Sequence, residues 1–208
     1  MTVKILFIIL AFTIYSLMHS FLLPNVQKAG LQTISHNLKP FYRLTSTIVQ
    51  TTLFFVMIKY VPRSSQVLWE VKGNLYWFFR IVQLAGLIDF IWAARSFNLK
   101  EFLGLAQIIQ YFKNKSDKVE LETPEFYTHV AFAYIRHPLY FFTILIFLFE
   151  PRITVFNLLL LIWLIIYFWI GSILEEKRMV KQFGDSYRQY QRQVNRFFPK
   201  IKKYHSLD

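Results

Sequence analysis

Arg136-His137-Pro138-Leu139-Tyr140 opens the stretch that decides the fold. An apolar run to Phe149 follows, then a turn at Glu150-Pro151-Arg152, a second apolar run over residues 153–174, and the pair Glu175-Glu176. A helix that crosses a bilayer needs about 20 largely apolar residues. Two polar ends joined by one out-and-back excursion through lipid must return to the same side of it. The pattern therefore predicts a hairpin that brings a basic Arg/His knot and an acidic pair to one lipid–water boundary. Residues 139–149 alone are too short to cross. The outgoing span either starts before Pro138, which then kinks it, or is a short, steep helix with proline in its first turn.

Working outward, residues 3–23, 41–61 and 75–95 supply three further apolar runs. Residues 62–74 read as a short loop and 96–136 as the longest connection. The apolar part of that connection, Phe97-Leu99-Phe102-Leu103-Leu105-Ile108-Ile109, is expected to lie at the interface. Beyond the acidic pair, Tyr187, Tyr190, Val194, Phe197 and Phe198 fall on one helical face and Arg188, Arg192 and Arg196 on another. The expected fold is all-α and polytopic, with five transmembrane helices and a C-terminal amphipathic helix along the membrane. It forms a single membrane domain over 1–208, with a three-helix part at 1–95 and a hairpin and tail at 126–199.

Composition agrees. The chain is 55% hydrophobic, against the 45–50% usual for soluble domains, so a membrane protein is the first expectation. The formal charge of +12 sits between and after the apolar runs, which suits anionic headgroups better than nucleic acid. Cysteine is absent, which excludes disulfides, thiolate metal sites and cysteine nucleophiles, and no metal site is expected. The first apolar run lacks a small-residue cleavage site and is read as a retained span. Nine basic residues between Lys177 and Lys203 place the C-terminus in the cytoplasm and, with five spans, the N-terminus outside. His19, Arg43, Asp89, Arg136, His137, Glu175 and Glu176 then all belong to the cytoplasmic ends of helices. Ionisable residues at such depth usually face a bundle interior.

Glu175 has Arg178 three residues on and reads equally well as one half of a surface ion pair. Glu176 has no basic neighbour at helical spacing and is the stronger functional candidate. Arg136 and His137 could simply anchor headgroups, and His19 could make a helix–helix hydrogen bond. As a site, cations on one wall, carboxylates on the other and tyrosines between suit a zwitterionic ligand bearing an aromatic ring. S-adenosylmethionine, a nucleotide and a lipid headgroup all fit that description. No G-x-G-x-x-G occurs, which excludes a Rossmann-type site.

The Arg-His-Pro-Leu-Tyr run, the hairpin, Glu175-Glu176, Phe183-Gly184-Asp185-Ser186-Tyr187, Tyr190 and Arg196-Phe197-Phe198-Pro199 together resemble the isoprenylcysteine carboxyl methyltransferase superfamily. The N-terminal half is more similar to its bacterial branch of methanethiol S-methyltransferases and NnrU-type proteins, through His19-Ser20, Phe41-Tyr42-Arg43, Phe97-Asn98-Leu99 and Leu103-Gly104-Leu105. The resemblance implies S-adenosylmethionine as methyl donor, with Tyr134, Arg136, His137, Tyr140, Glu175 and Glu176 as its contacts. His19, Arg43 and Asp89 are expected on the acceptor side. The chain also departs from the family. Val130-Ala131-Phe132 replaces a usual Gly-x-Tyr, and Phe142 replaces a glycine; this added bulk is expected to narrow the donor pocket or shift its loop. Trp169 stands where carboxyl-methylating members carry an arginine, which implies a small or lipophilic thiol acceptor. A prenylcysteine carboxylate or lipid acceptor, and a non-catalytic nurim-like scaffold, remain the alternatives.

Overall fold

The computed structural model describes residues 2–22, 41–63, 66–98, 100, 103–114, 126, 128–200 and 204. The chain is mostly helical and divides into two compact units, residues 1–63 with 98–124, and residues 64–97 with 125–208.

In the first unit, helix α1 (Thr2–Leu17) runs into a π-helical turn at Met18–Leu22. Ile8 and Phe12 are its buried residues, and Tyr15 packs its ring on Phe54 of α2 (Tyr42–Tyr60). The sequence predicts a span at α2. It is long enough, but its threonines and serines make it too polar to rank with the most apolar helices. The Thr45 and Thr47 hydroxyls return to the helix's own carbonyls at Phe41 and Arg43. An amphipathic helix, α4 (Leu105–Asn114), closes the unit, its Tyr111 and Phe112 rings edge-on to Phe41.

The second unit contains α3 (Asn74–Ala94), α5 (Pro138–Leu148), α6 (Val155–Phe183) and α7 (Asp185–Gln193). Along α3, Gly86, Phe90 and Ala93 form one stripe against α5. A Cβ on Gly86 would lie 3.2 Å from Ile146, so the two helices approach closely. At the far end Gln83 donates to the Ile146 carbonyl (2.9 Å) and to Glu150 (3.1 Å), beside the Arg80–Glu150 pair. Phe142 is buried with Ala93 and Ala131. Phe142 thus fills the seam between α3 and α5.

Among the described residues, three helices are long and apolar enough to cross a membrane: Thr2–Ser20, Asn74–Ala94 and Val155–Phe183. By composition this is an integral membrane protein. Of the two readings of the hairpin's first arm, the structure has the short one: Pro138 is in the first turn of an 11-residue helix. At 1.5 Å per residue that is about 16 Å, half the hydrocarbon thickness. The second arm overshoots. α6 is capped by Thr154, which accepts from the Asn157 amide, and nothing in its sequence breaks it until Gly184 at φ +59. Its 29 residues carry Glu175-Glu176 on the same continuous rod as the span.

Three expectations are corrected here. The loop at 62–74 contains strand β1 (Val67–Glu70), antiparallel to β2 (Arg152–Thr154), so the fold is not strictly all-α. All four β1 residues are exposed, which erases the alternation that would have marked a strand. The C-terminal helix stops at Gln193, and Val194 turns extended (ψ 134). Asn195 then pairs in parallel with Ile135, so Arg196, Phe197 and Phe198 are not on the helix. Finally, Tyr187, Tyr190 and Val194 are 4%, 2% and 1% exposed and pack with Phe126, Met179, Val180, Phe183 and Tyr204. The apolar face of α7 is buried in the protein rather than laid on lipid. Burial pushes both tyrosine hydroxyls above the usual phenol range, and Tyr190 donates to the Phe132 carbonyl (2.6 Å).

Val130, set by the sequence resemblance at a glycine position, sits at φ +54 at the head of the 3₁₀ turn Val130–Ala133. A β-branched residue pays about 1–2 kcal/mol for left-handed backbone. Glycine there relieves the strain but loses more chain entropy on folding. Val130→Gly is therefore expected to stabilise the protein by about 0.5–1 kcal/mol, read as a higher denaturation midpoint in detergent.

Candidate functional site

The hairpin returns its two charged ends to one point. Backbone pairing places the knot first. Arg136 N–H donates to Asn195 O (2.9 Å) and His137 N–H to Arg196 O (3.1 Å), while Lys200 N–H donates to Tyr134 O (2.9 Å). The C-terminal tail thus runs beside residues 134–137. Pro138, with no N–H to satisfy, begins α5 directly after His137.

Glu176 is at the centre, 3% exposed. Its Oε1 accepts from Arg136 Nε (2.9 Å), His137 Nε2 (3.1 Å) and Arg196 Nε (3.1 Å). Its Oε2 accepts from Arg196 Nη2 (2.8 Å) and Gln191 Nε2 (2.9 Å). Arg136 also donates through Nη1 to the Gln191 and Val194 carbonyls. Charge-assisted bonds of this kind are the strong ones, and here they knit α5, α6, α7 and the tail together.

Glu175, one residue earlier, faces elsewhere. Its side chain is 45% exposed, and Oε2 accepts from Tyr140 Oη (3.1 Å) and lies 3.5 Å from His137 Nδ1. No pair with Arg178 is formed among the described residues. Around it stand aromatic rings: His137 stacks on Tyr140 (5.2 Å, 8°), and Tyr140 stacks on Phe168 (4.5 Å, 3°). Trp169 stacks on Phe197 (5.5 Å), which tilts against His137, and the Arg196 guanidinium lies 6.0 Å from the Trp169 ring.

Of the expected donor-side residues, Arg136, His137, Tyr140, Glu175 and Glu176 thus form one connected cluster. Tyr134 lies two residues before Arg136, its carbonyl accepting from the Lys200 N–H rather than from the cluster. The acceptor-side candidates are spread over both units. His19 packs near Tyr15 (5.6 Å) in the first unit, and Arg43 is exposed at the start of α2. Asp89 is half-buried on α3 in the second unit, with no hydrogen-bond or ion-pair partner among the described residues. Sequence reasoning missed Gln191, Phe168 and the placement of Arg196. Gln191 carries no signal. Phe168 and Trp169 do: each lies seven residues, two helical turns, before Glu175 and Glu176 respectively, and so shares their faces.

An apolar helical hairpin whose ends are clasped by a buried Arg/His/Glu cluster, with an open carboxylate beside stacked rings, is the candidate site of this integral membrane protein. No family model matches the chain, and no solved structure matches it. Among curated proteins it is similar to methanethiol S-methyltransferase 1 of Bradyrhizobium diazoefficiens, 29% identical over 162 residues, which is 77% of this chain and 55% of that protein. It is similar to the methanethiol S-methyltransferase of Crocosphaera subtropica, 36% identical over 104 residues (50% of this chain, 39% of that one). It is also similar to that of Pseudomonas deceptionensis, 36% identical over 78 residues (38% and 30%). The chain spans about half the length of these relatives or less. The resemblance to the bacterial thiol S-methyltransferase branch is therefore borne out by named proteins.

Proposed function

We propose that the protein is an S-adenosylmethionine-dependent membrane methyltransferase acting on a small or lipophilic thiol. The observation that carries this reading is the Glu175–Tyr140–His137 edge, a partly exposed carboxylate flanked by stacked rings and held by the clasp at Glu176. The chemistry of these groups fits the donor. A carboxylate takes an ammonium or ribose hydroxyls, and aromatic faces take a purine or a sulfonium. When bound, S-adenosylmethionine supplies an electrophilic methyl on a positively charged sulfur. Tyr134, Arg136, His137, Tyr140, Glu175 and Glu176 form the donor side, binding and orienting. His19, Arg43 and Asp89 are assigned to the acceptor side.

The overall change converts a thiol to a methyl thioether, with the demethylated donor and one proton released. Alignment and exclusion of water carry most of the rate effect, and a thiol needs no strong base once its proton is partly lost. We assign α2 and α5 as the remaining two crossings, with the C-terminus and the site on the cytoplasmic side and the N-terminus outside, and membrane lipids around the helices. The thiol is favoured over a carboxylate acceptor because residues 153–174 contain no basic residue and Trp169 offers a ring instead.

The test is calorimetric titration of the purified protein with S-adenosylhomocysteine, followed by methylation assays with small thiols and with prenylated cysteine analogues. Saturable binding and thioether formation from a thiol are expected. Absence of binding leaves only a membrane scaffold. Methylation confined to the prenylcysteine carboxylate would overturn the acceptor class.

A further inference from the structure

The adjacent glutamates are not equivalent. An ionised carboxylate offers about four lone-pair sites. Glu176 receives five donors from four side chains, three on Oε1 and two on Oε2. It has no acceptor capacity left for a ligand. Glu175 engages Oε2 alone; its Oε1 has no hydrogen bond among the described residues, and the side chain is 45% exposed against 4% for Glu176.

The tail reads His137 twice. The carbonyl of Arg196 accepts the His137 backbone N–H (3.1 Å). Its guanidinium binds both oxygens of Glu176, the carboxylate that also holds His137 Nε2. Because a carboxylate only accepts, Nε2 must be the donor, so the imidazole is locked about its own axis. That lock turns Nδ1 toward Glu175 and lays the ring flat on Tyr140, the residue whose hydroxyl also holds Glu175. A chain of contacts therefore runs from Arg196 and Gln191 through Glu176 and His137 to the open carboxylate of Glu175.

We infer that Glu175 touches the methyl donor, whereas Glu176, Arg196 and Gln191 are positioning residues that act on it through His137. This rests on the methyltransferase reading above and divides the donor side into groups that bind and groups that aim.

The test combines S-adenosylhomocysteine titration, thermal melting and histidine ¹⁵N NMR on the full chain in detergent. Glu175→Gln is expected to weaken binding roughly 10–100-fold, the loss typical of a charge-assisted hydrogen bond, with melting unchanged. Arg196→Ala is expected to weaken binding about tenfold in the protein that remains folded. Millimolar guanidinium should restore it, and the His137 Nε2 signal should move; Arg196→Lys, which keeps a charge and folds more readily, is expected to lie in between. Wild-type affinity in Glu175→Gln, or in both Arg196 variants with no His137 shift, overturns the inference while leaving the enzyme assignment intact. A wild-type protein that binds no S-adenosylhomocysteine overturns both.

Discussion

Glu176→Ala is expected to destabilise the protein by about 3–5 kcal/mol, the range found when one partner of a buried ion pair is removed. The size follows from what is left behind. Arg136 and Arg196 lose their common counter-charge, and Arg136 is only 9% exposed, so water cannot replace the carboxylate there. His137 Nε2 and Gln191 Nε2 lose their acceptor at the same time. One feature limits the damage: Arg136 keeps the Gln191 and Val194 carbonyls, which holds the value near the lower end of the range. The neighbouring Glu175→Ala removes a carboxylate with one hydroxyl partner and an exposed side chain, and should change stability by less than about 1 kcal/mol. Denaturant titration of the two variants in detergent checks the contrast. Equal losses would mean that the pair acts as a single electrostatic unit. The order also reverses the reasoning from the sequence, where Glu176, lacking a basic neighbour at helical spacing, looked the freer of the two. Its partners come from residues 136, 137, 191 and 196, 15 to 40 positions away, where spacing rules cannot reach.

That reversal shows what was legible in the chain and what was not. The hairpin was legible because lipid imposes it: two apolar runs, a Glu-Pro turn and charged ends admit few other arrangements. The meeting of Arg136 with Glu176 followed from topology, before any side-chain detail. The stopping points of elements were less legible. α6 runs past Leu174 because the charged residues after the span are good helix formers, and only Gly184 ends it. α7 stops at Gln193 because Asn195 pairs with Ile135, a tertiary contact that periodicity cannot contain. The same blindness affected the apolar face of α7. Its pattern is identical whether it meets lipid or Phe126 and Phe183, and the structure has the latter. Val130 and Phe142 were read in the sequence as added bulk at the donor pocket, and their structural settings are ones that spacing does not reveal. Val130 sits at positive φ, where glycine would be at ease, and Phe142 fills a helix seam.

Gly104 makes the same argument in the first unit, with a large effect expected. Its φ of +86 lies where any side chain is strained, and a Cβ built there would be 2.5 Å from the Leu44 amide nitrogen and 3.0 Å from the Arg43 carbonyl carbon. Those are backbone atoms at the start of α2, so no rotamer change can make room. Gly104→Ala thus carries a conformational cost of about 1–2 kcal/mol and an overpacking cost of about 1–3 kcal/mol, offset slightly by lower chain entropy in the unfolded state. The strain has to be released by moving the start of α4 away from Arg43 and Leu44. If Arg43 serves the thiol, the variant should lose turnover at subsaturating acceptor. Binding of S-adenosylhomocysteine, for which residues of the other unit are proposed, should persist. Parallel measurements of thiol methylation and donor-product affinity in Gly104→Ala separate these effects. Unchanged turnover would remove Arg43 from the acceptor side, and lost donor-product binding would show that the damage is not confined to the first unit.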